Sequence, residues 1–188
     1  VNWYVVDENG NSMSCQMQVH VIDTIPPVIN APDTISAFTS ESACSGWVDI
    51  PIPEYDDNCE VSVFYNYYTG TDDASGEYNA GYTDVVWIAM DPSNNTAYDT
   101  TVVFVIDTIP PQIVCPEDII QDADSGLCEA WVEIPIPDIY ENCQIDSIFN
   151  TYNDSTNATA WYPVGTTTFT WFVYDISGNV DTCSMTVT

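Results

Sequence analysis

WIAMDPSNN fills Trp87–Asn95, and two kindred stretches, WYVVDENGN and WFVYDISGN, fill Trp3–Asn11 and Trp171–Asn179. Each opens as a short aromatic and β-branched run, closes in turn-forming residues and is followed by another strand-like run. After the first turn, Cys15, Met17, Val19 and Val21 alternate with Gln16, Gln18 and His20, which assigns two faces with a period of two. Helical periodicity is absent, and the prolines at 51, 53, 135 and 137 suit strand edges or bulges. The three stretches therefore read as strand–turn–strand units. Their tryptophans, Trp3, Trp87 and Trp171, are expected in the core.

The spacing between the stretches is constant. Trp3, Trp87 and Trp171 are 84 residues apart, as are Asp7, Asp91 and Asp175. Asp23 matches Asp107, Cys44 matches Cys128, Trp47 matches Trp131, Cys59 matches Cys143 and Gly81 matches Gly165 in the same register. GWVDIPIP at 46–53 aligns with AWVEIPIP at 130–137 without a gap, and VIDTIPP occurs at both 21–27 and 105–111. A period this regular marks a modular array. The expected organisation is the closing strand pair of one copy (1–23), a full copy (24–107) and a nearly full copy (108–188), with the Pro-Pro phrase as the joint. Val1 opens in mid-strand pattern, so the sequence reads as a piece of a longer chain. Seven or so short strands in ~84 residues around a Trp-bearing core predict an all-β fold, with tandem immunoglobulin-like or fibronectin-like β-sandwich domains.

Composition narrows the partners. The chain has no Lys or Arg against 29 Asp and Glu, a formal net charge of −29. An ordinary sequence of this length carries roughly twenty basic residues. Nucleic acid and anionic membrane surfaces are excluded as direct partners by this field. The hydrophobic content of 45% is that of a folded protein, and no apolar run approaches the ~20 residues of a membrane span. Acidic groups without basic partners must be spread apart, screened by salt or neutralised by metal cations.

Seven cysteines suggest disulfides and an oxidising compartment, and no Cys-x-x-Cys or His/Cys cluster points to zinc. The third copy has Cys115, Cys128, Cys143 and Cys183. The middle copy keeps Cys44 and Cys59 but has Ala31 and Asp99 where the other two would stand. Two cysteines lost together are most simply the halves of one bond. The expected pairs are thus Cys115–Cys183 between the first and last strands, with Cys44–Cys59 and Cys128–Cys143 as local loops. In the chain-entropy model the short loops are each worth about 3 kcal/mol and the long one about 4 kcal/mol. Cys15 matches Cys183, so its partner is expected upstream of Val1, outside the sequence.

IPPQIVCPEDI, GLCEAWVEIPIP, ENC and YPVGTTTFTWFVYDISGNVDTCSMTV together make the third copy resemble the hyalin repeat (HYR) family. The middle copy resembles it through IPPVINAPDTI, ACSGWVDIPIP, DDNC and MDPSNN, departing at Ala31 and Asp99. The resemblance implies immunoglobulin-like sandwiches in extracellular adhesive or structural proteins. Long acidic arrays of this kind resemble the giant surface adhesins of gliding bacteria. The implied function is a stalk or spacer module of a cell-surface adhesin or filament, serving adhesion and gliding motility. Its partners would be neighbouring repeats, other copies in a filament, surface glycans, or a host or prey surface. The alternatives are a carbohydrate- or protein-binding sandwich, or the spacer of a secreted multidomain enzyme.

Calcium is the sharpest site reading. Asp23 and Asp107 sit at the joints, and Asp56, Asp57 and Asn58 lie in a loop able to approach one of them. Hard oxygen donors suit Ca²⁺, and an ion at a joint stiffens it. The plainer reading is that these residues cap turns and stay hydrated, and Tyr140 and Glu141 replace Asp56 and Asp57 in the next copy. The Asp-x-x-x-Asn segments lack the closing Glu of a calcium loop and read as hairpin turns. Trp161 offers a ring to a sugar or to a packing contact. Thr24, Thr34, Thr108 and Ser147 sit in Asp-Thr-Ile or Asp-Ser-Ile, which resembles an acceptor pattern for O-linked sugar in some bacteria. With one His, no basic residue and no insertion to build a cleft, the sequence argues against an enzyme.

Overall fold

The computed structural model describes residues 1–188, and all of its regular structure is strand. In chain order these are β1 (Asn2–Val6), β2 (Ser12–Gln16), β3 (Val28–Asn30), β4 (Thr34–Phe38), β5 (Ser45–Val48) and β6 (Glu54–Asp56). There follow β7 (Val63–Asn66), β8 (Gly76–Asn79), β9 (Gly81–Met90), β10 (Thr96–Ile106), β11 (Gln112–Val114) and β12 (Glu129–Val132). The last five are β13 (Asp138–Tyr140), β14 (Ile145–Asn150), β15 (Ala160–Pro163), β16 (Thr167–Asp175) and β17 (Val180–Val187). The fold is all-β and of the immunoglobulin-like sandwich class.

The 84-residue register is visible in the pairings. Antiparallel β3–β6 aligns Val28 with Asp56, and β11–β13 aligns Gln112 with Tyr140. Ser45 opposes Asn79 in β5–β8, and Glu129 opposes Pro163 in β12–β15. The larger sheets run β4-β10-β9-β7 and β14-β16-β17. In the first of these β4 lies parallel to β10. The hairpin turns also superpose in chemistry. Gly10, Asn94 and Gly178 occupy one position in the three turns, and all have positive φ (85°, 68° and 88°). Glycine adopts that conformation freely and asparagine tolerates it, which is why these residues stand there.

The chain divides into two compact units. One comprises Val1–Ala31, Ile52–Asp73 and Val86–Thr100; the other comprises Pro32–Pro51, Ala74–Val85 and Thr101–Thr188. In the first, Trp87 and Ala89 are fully buried, and Ile29 and Ile88 are nearly so. Phe64 stacks on Trp87 at 5.6 Å and on Tyr55 at 4.0 Å. In the second, residues of the third copy form one cluster around Trp171, Val173, Phe169, Tyr162 and Met185. Phe169, Trp171 and Val173 come from alternate positions of β16, as the period of two requires, while Met185 comes from β17 and Tyr162 from β15. Val48, Val85, Val103 and Val105 are also buried in that unit. Tyr78 and Tyr162 turn their hydroxyls to the Ala74 and Ala158 carbonyls at 2.6 and 2.7 Å, so each buries a ring without stranding its polar tip.

Three expectations differ from the structure. Trp3 is 61% exposed whereas Trp87 and Trp171 are 0% exposed, because β1 and β2 form a two-stranded hairpin with every residue open to solvent. β2 ends at Gln16 rather than continuing to Val21, with two further bonds beyond it, from Met17 N to Val1 O at 2.9 Å and from Val1 N to Met17 O at 2.8 Å. The cysteine loops are the third. The structure has no Cys44–Cys59 or Cys128–Cys143 bond; Cys44 is joined to Cys143, with Cα atoms 4.4 Å apart, and Cys115 to Cys183, 5.6 Å apart. Cys15, Cys59 and Cys128 are exposed and unbonded. Between Cys44 and Cys59 the chain lays down β5 and β6, which carries Cys59 to the neighbourhood of Asp23 while Cys44 remains beside residues that contact Asp107.

Gly46 tests how β4 is seated. A Cβ at this position would run into the carbonyl of Phe38, the last residue of β4, which is backbone and cannot step aside. The matching residue of the third copy is Ala130, and there the segment corresponding to β4 forms no strand, though Ile119 N bonds Thr186 O at 3.0 Å, Thr188 N bonds Ile119 O at 2.9 Å and Gln121 N bonds Thr188 O at 2.8 Å. Gly46→Ala should therefore lower stability by about 1–3 kcal/mol. Amide exchange of residues 34–38 should accelerate in parallel; unchanged protection of these amides would refute the account.

Candidate functional site

Two clusters built on matching residues stand out, one at Asp23 in the first unit and one at Asp107 in the second. In both, the aspartate is followed by Thr-Ile-Pro-Pro, the phrase that returns after 84 residues. Pro27 and Pro111 are buried and restrict φ immediately beyond.

Asp107 is 7% exposed and gathers donors from four directions. Its Oδ1 accepts from Thr39 Oγ1 at 2.9 Å, from Ile109 N at 3.2 Å and from Asn142 Nδ2 at 3.4 Å. Its Oδ2 accepts from Ser177 Oγ at 3.1 Å. Burial opposes ionisation of this carboxyl, yet the bonds from Thr39, Ile109, Asn142 and Ser177 hold it below the ordinary carboxylate range. Asn142 Nδ2 also donates to Ser40 O at 3.3 Å, and Asn179 Nδ2 reaches Asp107 O at 3.3 Å. Asn179 is in turn held by Asp175 at 2.8 Å. The turn of the third copy, the loop after β13 and the end of β4 thus converge on one linker residue. The Cys44–Cys143 disulfide locks the same place.

The Asp23 cluster repeats the plan with fewer donors. Asn58 Nδ2 donates to Asp23 Oδ2 at 3.2 Å, Asn95 Nδ2 to Asp23 O at 3.2 Å, and Ile25 N to Asp23 Oδ1 at 3.1 Å. The Ile25 amide, followed by the Cys59 thiol, lowers the Asp23 carboxyl, and the bond to Asp23 raises the Cys59 thiol. Cys59 N rests on Asp57 Oδ2 at 2.9 Å, and Cys143 N on Glu141 Oε1 at 3.0 Å. Glu141 therefore does in one copy what Asp57 does in the other.

One oxygen in each acidic pair has no donor. Asp57 Oδ1, Glu141 Oε2 and Asn142 Oδ1 are buried atoms without a hydrogen-bond partner. One ligand atom each from Asp23, Asp57 and Cys59 lie within 4.8 Å of one another, as do those from Asp107, Glu141 and Cys143. Cys143 is committed to its disulfide, so the donors left there are hard oxygens: two carboxylates and the Asn142 amide. That set fits a hydrated Ca²⁺, which takes 6–8 oxygens, better than a soft metal.

Of the residues expected to hold metal, Asp23, Asp57 and Asn58 are brought together, and Asp107 heads the second cluster. Asp56 is not part of either; it stands exposed in β6 opposite Val28. The reading that Glu141 breaks the ligand set is corrected, since its longer side chain reaches the same place. Thr39 and Ser177 escaped the sequence reading. Ser177 matches Ser93 in the middle copy, but Thr39 matches Ala123, so the 84-residue register carried no signal for it. Asn95 and Asn179, expected as turn residues, also donate to the Asp23 and Asp107 carbonyls, and their constant spacing is the signal for that second role. Trp161 lies edge-on to Trp131 at 5.7 Å, the two being 44% and 48% exposed. Thr24, Thr34, Thr108 and Ser147 are all exposed.

Residues 106–188 match the HYR domain family. Over its whole length the chain is similar to hyalin of Lytechinus variegatus, with 30% identity over 194 residues covering 35% of that protein. It is likewise similar to hyalin of Strongylocentrotus purpuratus, with 28% identity over 200 residues covering 16% of it. The chain thus spans about a third, and about a sixth, of the length of these relatives. Among solved structures, Sidekick-1 immunoglobulin domains 1-4 are similar at 14% identity and a TM-score of 0.46, covering 98% of this chain and 56% of that one. Protocadherin Gamma B7 extracellular cadherin domains 1-4 are similar at 10% identity and a TM-score of 0.42, covering 100% and 64%.

The Asp107 geometry sets a pH dependence. Because the ionised form accepts all four bonds, its stabilisation is complete above the pKa of an unfolded aspartate, near 3.9. It fades as pH falls through the lower folded value. In EDTA, Asp107→Asn should reduce stability at pH 7 by about 1–3 kcal/mol. It should also flatten the loss of denaturation midpoint as pH falls below the ordinary aspartate value, about 3.9. Parallel curves for the two proteins would show that Asp107 plays no such part.

Proposed function

We propose that the chain is a load-bearing section of a long extracellular adhesin or filament, in which residues 24–107 and 108–188 are successive copies of one β-sandwich repeat. Residues 1–23 are the closing strand pair of the copy before them. The module acts as stalk and spacer, displaying adhesive surface away from a cell; giant adhesins of gliding bacteria are one setting for such an array. The observation that carries this reading is the junction itself. The third copy's turn and loop, the middle copy's Thr39 and a covalent bond all close on Asp107, an investment that makes sense where successive copies must hold their register under strain. The HYR match and the hyalin relatives support an adhesion-type repeat, and the disulfides support a location outside the cell.

Calcium completes the junctions in this reading. A buried carboxylate oxygen without a donor costs about 1–3 kcal/mol or more, and Asp57 and Glu141 each carry one. Asp23 with Asp57, and Asp107 with Glu141, would share an ion whose remaining ligands are water and amide oxygen. The ion supplies positive charge that the sequence nowhere provides. Exposed Thr24, Thr34, Thr108 and Ser147 remain available for O-linked sugar. A second reading, recognition of carbohydrate, is favoured by the exposed Trp131–Trp161 pair, whose rings offer the flat apolar surface on which a sugar stacks.

Millimolar Ca²⁺ at matched ionic strength should stabilise the chain by about 1–3 kcal/mol relative to EDTA. Glu141→Gln should shrink that gain while raising the metal-free midpoint, because it removes the uncompensated charge. Equal midpoints with and without Ca²⁺ would eliminate the ion. For the mechanical role, one 84-residue copy excised in frame from the parent protein should shorten its reach and leave its ligand binding intact. Loss of binding would transfer the role to the second reading.

A further inference from the structure

The Cys44–Cys143 bond has a meaning beyond its own two residues. Cys143 is the 84-residue counterpart of Cys59, and Cys44 is the counterpart of Cys128. The bond thus connects the cysteine ahead of β5 in one copy with the cysteine after β13 in the next. With Cys115 bonded to Cys183, three cysteines are left, Cys15, Cys59 and Cys128, and all three are exposed. Each is the register partner of a cysteine that is bonded in this structure.

The unbonded members stand on the same frame as the bonded ones. Around Cys143, its amide rests on Glu141 at 3.0 Å and Asn142 reaches Asp107 at 3.4 Å. Around Cys59, its amide rests on Asp57 at 2.9 Å and Asn58 reaches Asp23 at 3.2 Å. The strands leading in, β6 and β13, pair with β3 and β11 in one register. Cys44 accepts a bond from Ala80 N at 2.9 Å and Cys128 one from Val164 N at 3.0 Å, again 84 residues apart. Both positions are therefore shaped for the same partner, and only the partner differs in being present.

We propose that Cys59 and Cys128 are half-cystines of the same junction staple, so that a disulfide crosses every joint of the array. Cys59 closes on the Cys44-type cysteine of the copy before it, and Cys128 on the Cys59-type cysteine of the copy after it. Cys15, the counterpart of Cys183, closes on the Cys115-type cysteine of its own copy. This rests on the tandem reading above. Each bond forms by thiol–disulfide exchange with an oxidant of the disulfide class, protein or small molecule. Two protein thiols become one disulfide, the oxidant's disulfide becomes two thiols, and electrons and protons balance. The staple also answers the charge. At −29 with no basic residue, successive copies repel, and a covalent link holds the Asp107-type cluster assembled against that repulsion.

The test is non-reducing peptide mapping of the full-length parent protein, alkylated with N-ethylmaleimide before denaturation. Glu-C or chymotrypsin replaces trypsin, which has no site in this stretch. The expected result is no alkylated Cys15, Cys59 or Cys128, with Cys59 and Cys128 recovered in cross-linked peptides from adjoining copies of the same chain. Alkylated Cys59 or Cys128 beside an intact Cys44–Cys143 bond would overturn the staple and leave the tandem reading standing. Recovery of Cys44–Cys59 or Cys128–Cys143 would overturn the staple and remove the junction on which the tandem reading depends. Reductant-sensitive dimers of the parent linked through Cys59 or Cys128 would also overturn it, by assigning those thiols to a second molecule.

Discussion

An ionised Asp107, enclosed by the hydroxyls of Thr39 and Ser177 and the amides of Ile109 and Asn142, is the constraint on which the second unit's junction depends. No Lys or Arg exists in the sequence to assist it. The carboxylate is satisfied by neutral donors alone, and those donors come from β4's end, the linker, the loop after β13 and the turn after β16. Moving any one of these segments would leave a buried charge short of a partner, an error that proteins tolerate poorly. Cooperation between segments distant in sequence is enforced by one small anion.

The same economy recurs wherever the chain uses its acids. Asp7, Asp91 and Asp175 each accept from the amide and side chain of the asparagine four residues on, closing the hairpin turns without a basic residue. Asp99 and Asp181 accept from the amides of Ala31 and Ile113, tying the first strand of each copy to the last. Aspartate therefore serves as a structural acceptor throughout. The charge that remains on the surface is available to counterions, and the two proposed ion sites are the clusters that hold a buried oxygen without a donor.

Much of this was legible from the amino acids because repetition supplies its own alignment. Strand pairs, turn positions and the buried Trp87 and Trp171 all follow from constant offsets joined to a period of two. The joint loss of two cysteines from the middle copy likewise pointed to strands that run side by side. What could not be read was which copy a residue serves. Cys44 and Cys59 lie close in sequence and look like a loop, yet one faces the junction at Asp107 and the other that at Asp23. Thr39 has no counterpart at position 123, so no periodicity announced it. Asn66 and Asn150, both fully buried, bind the turns that follow them. Junction chemistry is made between copies, and an alignment of copies cannot display it.

The two disulfides interlock. Cys143 lies inside the loop closed by Cys115–Cys183, and Cys115 lies inside the loop closed by Cys44–Cys143. Topologically the bonded sulfurs form two nodes connected by three parallel strings of chain, from Cys44 to Cys115, from Cys115 to Cys143 and from Cys143 to Cys183. A pull on the termini passes from one node to the other, and the shortest string, Cys115 to Cys143, becomes taut first. The two longer strings then hang slack as hidden length, able to refold while the backbone as a whole stays under tension.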